Sequence, residues 1–163
     1  MQGEESEMGF FRGGNMGECT QEQMLFIEQQ VQEIMGAYRE AISRSGVLEN
    51  EFWIWYTLVM TQDGDFSQQD LSNICALPKQ TVNTIVRRMA ERGHVVLKMV
   101  PGTRNRKRIY LTETGAAFGK ALVAPIIEAE RRAYENLPEE DRRLLPRILR
   151  DYTNALRQEL DQI

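Results

Sequence analysis

The sequence contains a single histidine, His94, and two cysteines, Cys19 and Cys75, in 163 residues. One imidazole makes a histidine-based zinc site or a Ser-His-Asp triad hard to assemble within one chain. Two cysteines so dissimilarly placed suggest neither a disulfide framework nor a thiolate metal site. No metal, flavin or other cofactor motif is visible, so no cofactor and no enzymatic activity are expected. No uninterrupted apolar run approaches the roughly 18–20 residues needed to span a bilayer, and no membrane partner is expected. The opening stretch MQGEESEMGFFRGGNMGE is acidic and glycine-rich. It has no basic start followed by an apolar segment, so it does not read as a signal peptide and a cytoplasmic location is expected.

What the sequence does have is an ordinary globular composition, 42% apolar and 27% charged, with an unusual distribution of charge. The net charge of −4 hides a strong polarity. Residues 78–108 hold nine bases (Lys79, Arg87, Arg88, Arg92, Lys98, Arg104, Arg106, Lys107 and Arg108) against one acid, Glu91. That segment carries +8 and the remainder −12, an asymmetry that suits a locally anionic partner.

Residues 1–18 show no helical period and read as a flexible tail. Thr20, with Gln23 in the capping-box position, opens a long amphipathic helix of about 24 residues through Met24, Ile27, Val31, Ile34, Met35, Tyr38, Ala41 and Ile42. Ser45-Gly46 ends it. A second helix, from about Asn50 to Thr61, is apolar nearly all round and belongs in a core or between packed units. Asp63-Gly64 reads as a turn.

Ser67 and Asp70 cap a short third helix with Leu71 and Ile74 expected to face inward. Cys75-Ala76-Leu77 connects it to a fourth helix, which runs from Pro78 to about Arg92, stops at Gly93 and has Val82, Ile85, Val86 and Met89 as its buried stripe. Residues 95–100 and 107–111 are strand-like around a basic turn, Pro101 to Arg106, forming a β-hairpin. Thr112 caps a fifth helix that carries Ala116, Ala117, Phe118, Ala121, Leu122, Ile126, Ile127 and Ala129 and reaches roughly Asn136. A sixth begins after Leu137-Pro138, with Leu144, Leu145, Ile148, Leu149, Tyr152, Leu156 and Leu160 as its stripe. Pro125 and Pro146 fall inside these patterns and are expected to kink or divide the helices. There is no internal repeat.

A helix fits the major groove of B-DNA, where each base pair displays a distinct set of donors and acceptors. The exposed face of residues 78–92 has the side chains that read such a set. Gln80 and Asn83 suit adenine, Arg87 or Arg88 suits guanine, and Thr81 or Thr84 suits a phosphate or a thymine methyl group. Lys79, Gln80, Thr81, Asn83 and Thr84, near the helix start, are the candidates for base edges. Arg87 and Arg88 divide between bases and phosphates. Arg104 and Arg106, at the hairpin loop, suit a narrow minor groove or its phosphates.

The order of elements resembles the MarR (multiple antibiotic resistance regulator) family. The residues that carry the likeness are Gln69-Asp70-Leu71 to Leu77, Thr81-Val82-Asn83, Arg88-Met89-Ala90-Glu91-Arg92-Gly93, and Leu111-Thr112-Glu113-Thr114-Gly115. It spans about residues 20–160. The fold it implies is mainly α with a small β-hairpin wing, a winged helix-turn-helix flanked by N- and C-terminal dimerisation helices. The divisions are a tail at 1–18, an N-terminal dimerisation helix at 19–48, a DNA-binding domain at 49–112 and C-terminal dimerisation helices at 113–163. The function it implies is transcriptional regulation, usually repression, by a homodimer on palindromic double-stranded DNA, with release by a small aromatic ligand or by cysteine oxidation. One departure falls in the wing. Where the family carries Asp-x-Arg before the second strand, this sequence has Thr103 and Asn105, flanked by Arg104 and Arg106.

The apolar stripes of the first and last two helices exceed what a winged domain of about 60 residues covers, which argues for self-association into a two-fold dimer. A small aromatic effector would be held by Met35, Tyr38, Trp53, Trp55 and Tyr56 between the dimerising helices and the winged domain. Cys75 reads as a packing residue in its turn, and His94 as a surface or hairpin residue. The alternative readings are a winged-helix protein-interaction adaptor without DNA affinity and a thiol-based sensor acting through Cys19 or Cys75.

Overall fold

The computed structural model describes residues 21–61, 66–103 and 107–163. Along them run α1 (Gln21–Ser43), α2 (Glu49–Met60), α3 (Gln68–Ile74), α4 (Lys79–Glu91), β1 (Val95–Met99), β2 (Lys107–Leu111), α5 (Glu113–Glu135) and α6 (Glu139–Leu160). The expected tail, the Thr20 cap, Cys19, the Asp63-Gly64 turn and the Arg104 and Arg106 loop lie outside the described residues. Two compact units divide at Gly46: α1 belongs to the first, and Val47–Ile163 form the second.

In the first unit α1 leaves Met24, Leu25, Ile27, Val31 and Ile34 exposed along its length. In the second unit α2 is the centre of the core. Phe52, Ile54, Trp55, Leu58 and Val59 are buried, with Trp53 and Tyr56 half-buried and Met60 exposed. The helix therefore buries a wide arc and keeps a narrow outer edge, as its apolar density requires.

The capping box on α3 is formed in full: Asp70 N–H donates to Ser67 Oγ, and Ser67 N–H donates to the Asp70 carboxylate at 2.8 Å. Ile74 departs from expectation, for it is exposed whereas Leu71 and Ser72 are buried and Cys75 is half-buried. At 100° per residue, positions 71, 72 and 75 share one face, and 74 falls outside it. The seven-residue helix is too short to bury a second row.

Both helices of the helix-turn-helix end in the same motif. Leu77 N–H donates to the Ser72 carbonyl and His94 N–H to the Met89 carbonyl, with Ala76 (φ 51) and Gly93 (φ 73) in the left-handed conformation between. Val82, Ile85, Val86 and Met89 of α4 are all buried. The strands pair antiparallel, Val95 opposite Leu111 and Lys98 opposite Arg108, and Ile109 N–H donates to the Phe66 carbonyl at 2.8 Å. That last bond ties the hairpin to the entry of α3.

Thr112 caps α5 through Gly115 N–H and also donates to the Gly93 carbonyl at 2.7 Å, which joins the end of α4 to the start of α5. The buried face of α5 is Gly115, Gly119, Val123 and Ile126, one row of small residues leading to two apolar ones. Of the expected stripe Ile126 is buried and Ala116, Leu122 and Ile127 are half-buried, while Ala117, Phe118, Ala121 and Ala129 are exposed, because the close packing is made at two glycines with no side chain to signal it. Neither proline divides its helix: α5 continues through Pro125 and α6 through Pro146. No residue of α6 is buried, and of its apolar stripe Leu145 is half-buried while the other six residues are exposed.

Candidate nucleic-acid interface

The four buried side chains of α4 fix which way its remaining residues point. Lys79, Gln80, Asn83, Arg87 and Arg88 are exposed, and Thr81 and Thr84 are half-buried beside them. The one acid that α4 itself contributes is Glu91, whose carboxylate lies 3.7 Å from Arg87. Thr84 Oγ1 donates to the Gln80 carbonyl at 3.0 Å, which leaves the threonine oxygen as an acceptor and its methyl as an apolar contact. A groove of about 590 Å³ separates this face from the start of α2 and carries Glu49 and Asn50 on its rim. Asn50 was not anticipated from sequence. It precedes an aromatic run and gives no local signal that the fold will set it beside Gln80 and Arg88.

The hairpin adds further cations. Lys98 stands directly across from Arg108, and Lys107 is exposed beside them. Like charges set opposite each other on a hairpin oppose pairing, and a bound polyanion would relieve that cost. Lys98 Nζ also sits 5.2 Å from the centre of the Tyr110 ring. Arg92, by contrast, turns away from the α4 face toward Glu51 of α2, at 2.9 Å.

The five residues expected to hold an effector are divided between the two units. Met35 and Tyr38 lie on α1 in the first unit, exposed and half-buried respectively. Trp53 and Tyr56 sit edge to face at 5.6 Å on the outer edge of α2, and the Tyr56 hydroxyl donates to Glu130 of α5 at 2.6 Å. Trp55 is fully buried on the opposite side, its ring 5.1 Å from Phe118 and 5.4 Å from His94. His94, half-buried immediately before β1 at the base of the hairpin, is also an aromatic packing partner, stacked on Phe118 at 4.8 Å. Trp55 Nε1 and His94 Nδ1 are buried without a hydrogen-bond partner among the described residues.

A cavity of about 290 Å³ that sequence reasoning did not foresee lies between the end of α2, β2 and the start of α5, lined by Leu58, Val59, Ile109, Tyr110, Ala116 and Lys120 among others. Cys75 is half-buried, with Sγ 3.5 Å from Thr57 Oγ1 and 3.7 Å from the Trp53 carbonyl, consistent with packing. Among the described residues no group of three or more His, Cys, Asp or Glu is placed to hold a metal, and no helix is long and apolar enough to cross a membrane.

A helix-turn-helix followed by a basic hairpin, with two helices before it and two after, is the winged helix-turn-helix fold of the MarR regulators. Among solved structures with this fold is NMB1585, a MarR family regulator from Neisseria meningitidis, at 21% identity and a TM-score of 0.73, covering 86% of this chain and 97% of that one. MepR from S. aureus in its DNA-binding conformation is similar at 16% identity and a TM-score of 0.70, covering 82% and 98%. NadR in complex with 4-hydroxyphenylacetate is similar at 18% identity and a TM-score of 0.65, covering 86% and 94%. No protein-family model and no curated protein matches the sequence.

Proposed function

We propose that the protein is a transcriptional regulator that binds double-stranded DNA as a homodimer and represses by occluding a promoter. The observation that carries this reading is the outward face of α4. A helix held by four buried apolar side chains presents two amides, two hydroxyls, a lysine and two arginines together, the groups that bind base edges and phosphates in the major groove. The basic hairpin supports it, since Lys98, Lys107 and Arg108 stand where a wing meets the sugar-phosphate backbone. In this reading Arg104 and Arg106 extend the same contact. The exposed apolar faces of α1 and α6 supply the surface for a second copy. Two copies of α4 related by a two-fold axis would read a pseudo-palindrome with half-sites about one helical turn apart.

A small aromatic effector that lowers DNA affinity is part of the proposal, supported by the half-buried Trp53 and Tyr56 edge of α2 and by the bound 4-hydroxyphenylacetate of NadR.

The test is a titration by fluorescence anisotropy against a duplex selected from a random pool, at several salt concentrations. A dimer neutralising several phosphates gives a steep loss of affinity with salt, log K falling by about 0.9 per log unit of salt for each phosphate. Asn83→Ala and Arg88→Ala weaken the selected duplex more than a scrambled one. Binding that is independent of salt on every duplex refutes the reading and leaves the protein-interaction adaptor.

A further inference from the structure

Arg92 lies one helical turn beyond Arg88, and in the sequence it extends the basic run of the reading helix. The fold gives it another partner. Its guanidinium Nη1 donates to Glu51 Oε1 at 2.9 Å, and Glu51 is 6% exposed in the first turn of α2. A carboxylate so deeply buried needs a charged donor, and among the described residues that donor is Arg92. Arg92 is also the C-cap of α4, where a cation complements the partial negative charge of the last carbonyls.

Resting on the DNA-binding reading above, we propose that Arg92 is a positioning residue that sets the rotation of α4 through Glu51, and that it is not one of the DNA contacts. The apolar stripe holds α4 against the core but has no directional bonds, so it tolerates a small roll about the helix axis. The Glu51–Arg92 bond is directional and joins the end of α4 to the start of α2, the two elements that border the 590 Å³ groove. A roll of α4 would change which of Gln80, Asn83 and Arg87 faces the bases while leaving its positive charge in place. Loss of the bond therefore lowers sequence discrimination and spares general affinity for DNA.

The test uses the full chain, a duplex selected from a random pool by the unaltered protein, and a scrambled duplex of equal length. Arg92→Gln should weaken the selected duplex by roughly tenfold, the size of a coupling between contacting residues, and change the scrambled duplex little. The salt dependence should stay that of the unaltered protein. Glu51→Gln should show the same selective loss to a smaller degree, and the double variant should be no weaker than Arg92→Gln alone. Arg92→Lys, which keeps the charge and a donor to Glu51, should recover most of the discrimination. If Arg92→Gln does not fold by thermal melting, Glu51→Gln and Arg92→Lys decide the matter through their selected-to-scrambled ratios.

Equal losses on both duplexes, together with a salt slope shallower by about two per dimer, would make Arg92 a phosphate contact and overturn the proposal. A harmless Glu51→Gln alongside a damaging Arg92→Gln would overturn it too. Failure of the unaltered protein to select any sequence refutes the DNA-binding reading itself, a result visible before any variant is made.

Discussion

The Tyr134 hydroxyl donates to the Arg142 carbonyl at 2.5 Å, and Arg142 stands four residues before Pro146. A proline has no N–H to offer the carbonyl four residues back, so Pro146 orphans the Arg142 oxygen. Tyr134, near the end of α5, supplies the missing donor. This explains how α6 runs unbroken through Pro146. Tyr134→Phe should cost about 0.5–1 kcal/mol, at the low end for a hydrogen bond because the tyrosine is partly exposed. In a Pro146→Ala background, where the helix supplies its own N–H, the same change should cost less. Thermal unfolding of the two single variants and the double variant measures the difference.

Gly119 makes a comparable contact between α5 and α2. A Cβ built there would lie 2.8 Å from Trp55 Cε3 and 2.8 Å from Val59 Cγ2, both on buried side chains. At Gly115 a Cβ would lie 1.8 Å from the His94 carbonyl oxygen, a backbone atom that has no rotamer to escape into. Gly119→Ala should therefore destabilise by about 1–2 kcal/mol, an overpacking cost partly offset by the better helix propensity of alanine. Gly115→Ala should cost more. A melting temperature for Gly119→Ala at or above that of the unaltered protein would show that the α2–α5 seam can open.

Those glycines also mark where the sequence stopped being informative. Elements with a strong local period or cap were legible. The α4 stripe, the Ser67–Asp70 box, the Thr112 cap and the strand at 107–111 are formed by residues close in the chain. The close approach of α5 to α2 was not legible, because it depends on side chains that are absent at 115 and 119. Nor was the aromatic role of His94, whose neighbours Trp55 and Phe118 are distant in sequence. Arg92 entered the sequence reading only as one of nine bases in residues 78–108, and charge counting cannot say that its side chain turns to Glu51. The continuity of α6 depended on a tyrosine twelve positions before the proline, outside any helical window.

Ala76 and Gly93 occupy equivalent positions at the ends of α3 and α4, both with positive φ, and in the first an alanine carries the strain that glycine avoids. A non-glycine residue there costs about 1 kcal/mol, part of which glycine gives back in chain entropy. Ala76→Gly should leave stability unchanged or raise it by up to about 0.5 kcal/mol, while Gly93→Ala should lower it by about 1 kcal/mol. Denaturant midpoints at unchanged slope would report both. A loss of stability in Ala76→Gly would mean that the tight helix-turn-helix connection depends on the alanine side chain.

On α5, hydrogen bonds from Arg131 and Arg132 hold the Glu128 carboxyl down at about 2, below its ordinary value of 4.5. Because the folded value is the lower one, this cluster favours the folded state at pH above about 4.5. That contribution fades as the pH falls from there toward about 2. The group is solvent-exposed, so the effect is local and sensitive to salt. A carboxyl-carbon NMR titration should place the Glu128 midpoint well below those of the other exposed glutamates. Arg131→Gln should raise it more than Arg132→Gln, and a midpoint near 4.5 in the unaltered protein would contradict the geometry.

The outward stripe of α6 separates folding from association. Ile148 is 54% exposed and Leu156 42%, and none of the residues of α6 is buried within the chain. A charge at either position removes nothing from the core around Trp55, but it would place an unpaired carboxylate inside an apolar contact between two copies. If the proposed homodimer forms through this stripe, Ile148→Asp should sediment as a monomer at concentrations where the unaltered protein sediments as two copies. Its near-ultraviolet tryptophan signal should persist, since both tryptophans lie on α2. The monomer holds one α4 and loses the gain from binding two half-sites at once, so affinity for a palindromic duplex should fall by about a hundredfold or more. Affinity for a single half-site should change little. A variant that remains dimeric would move the interface off α6, and one that becomes monomeric yet binds the palindrome undiminished would remove the two-fold reading of DNA from the proposal.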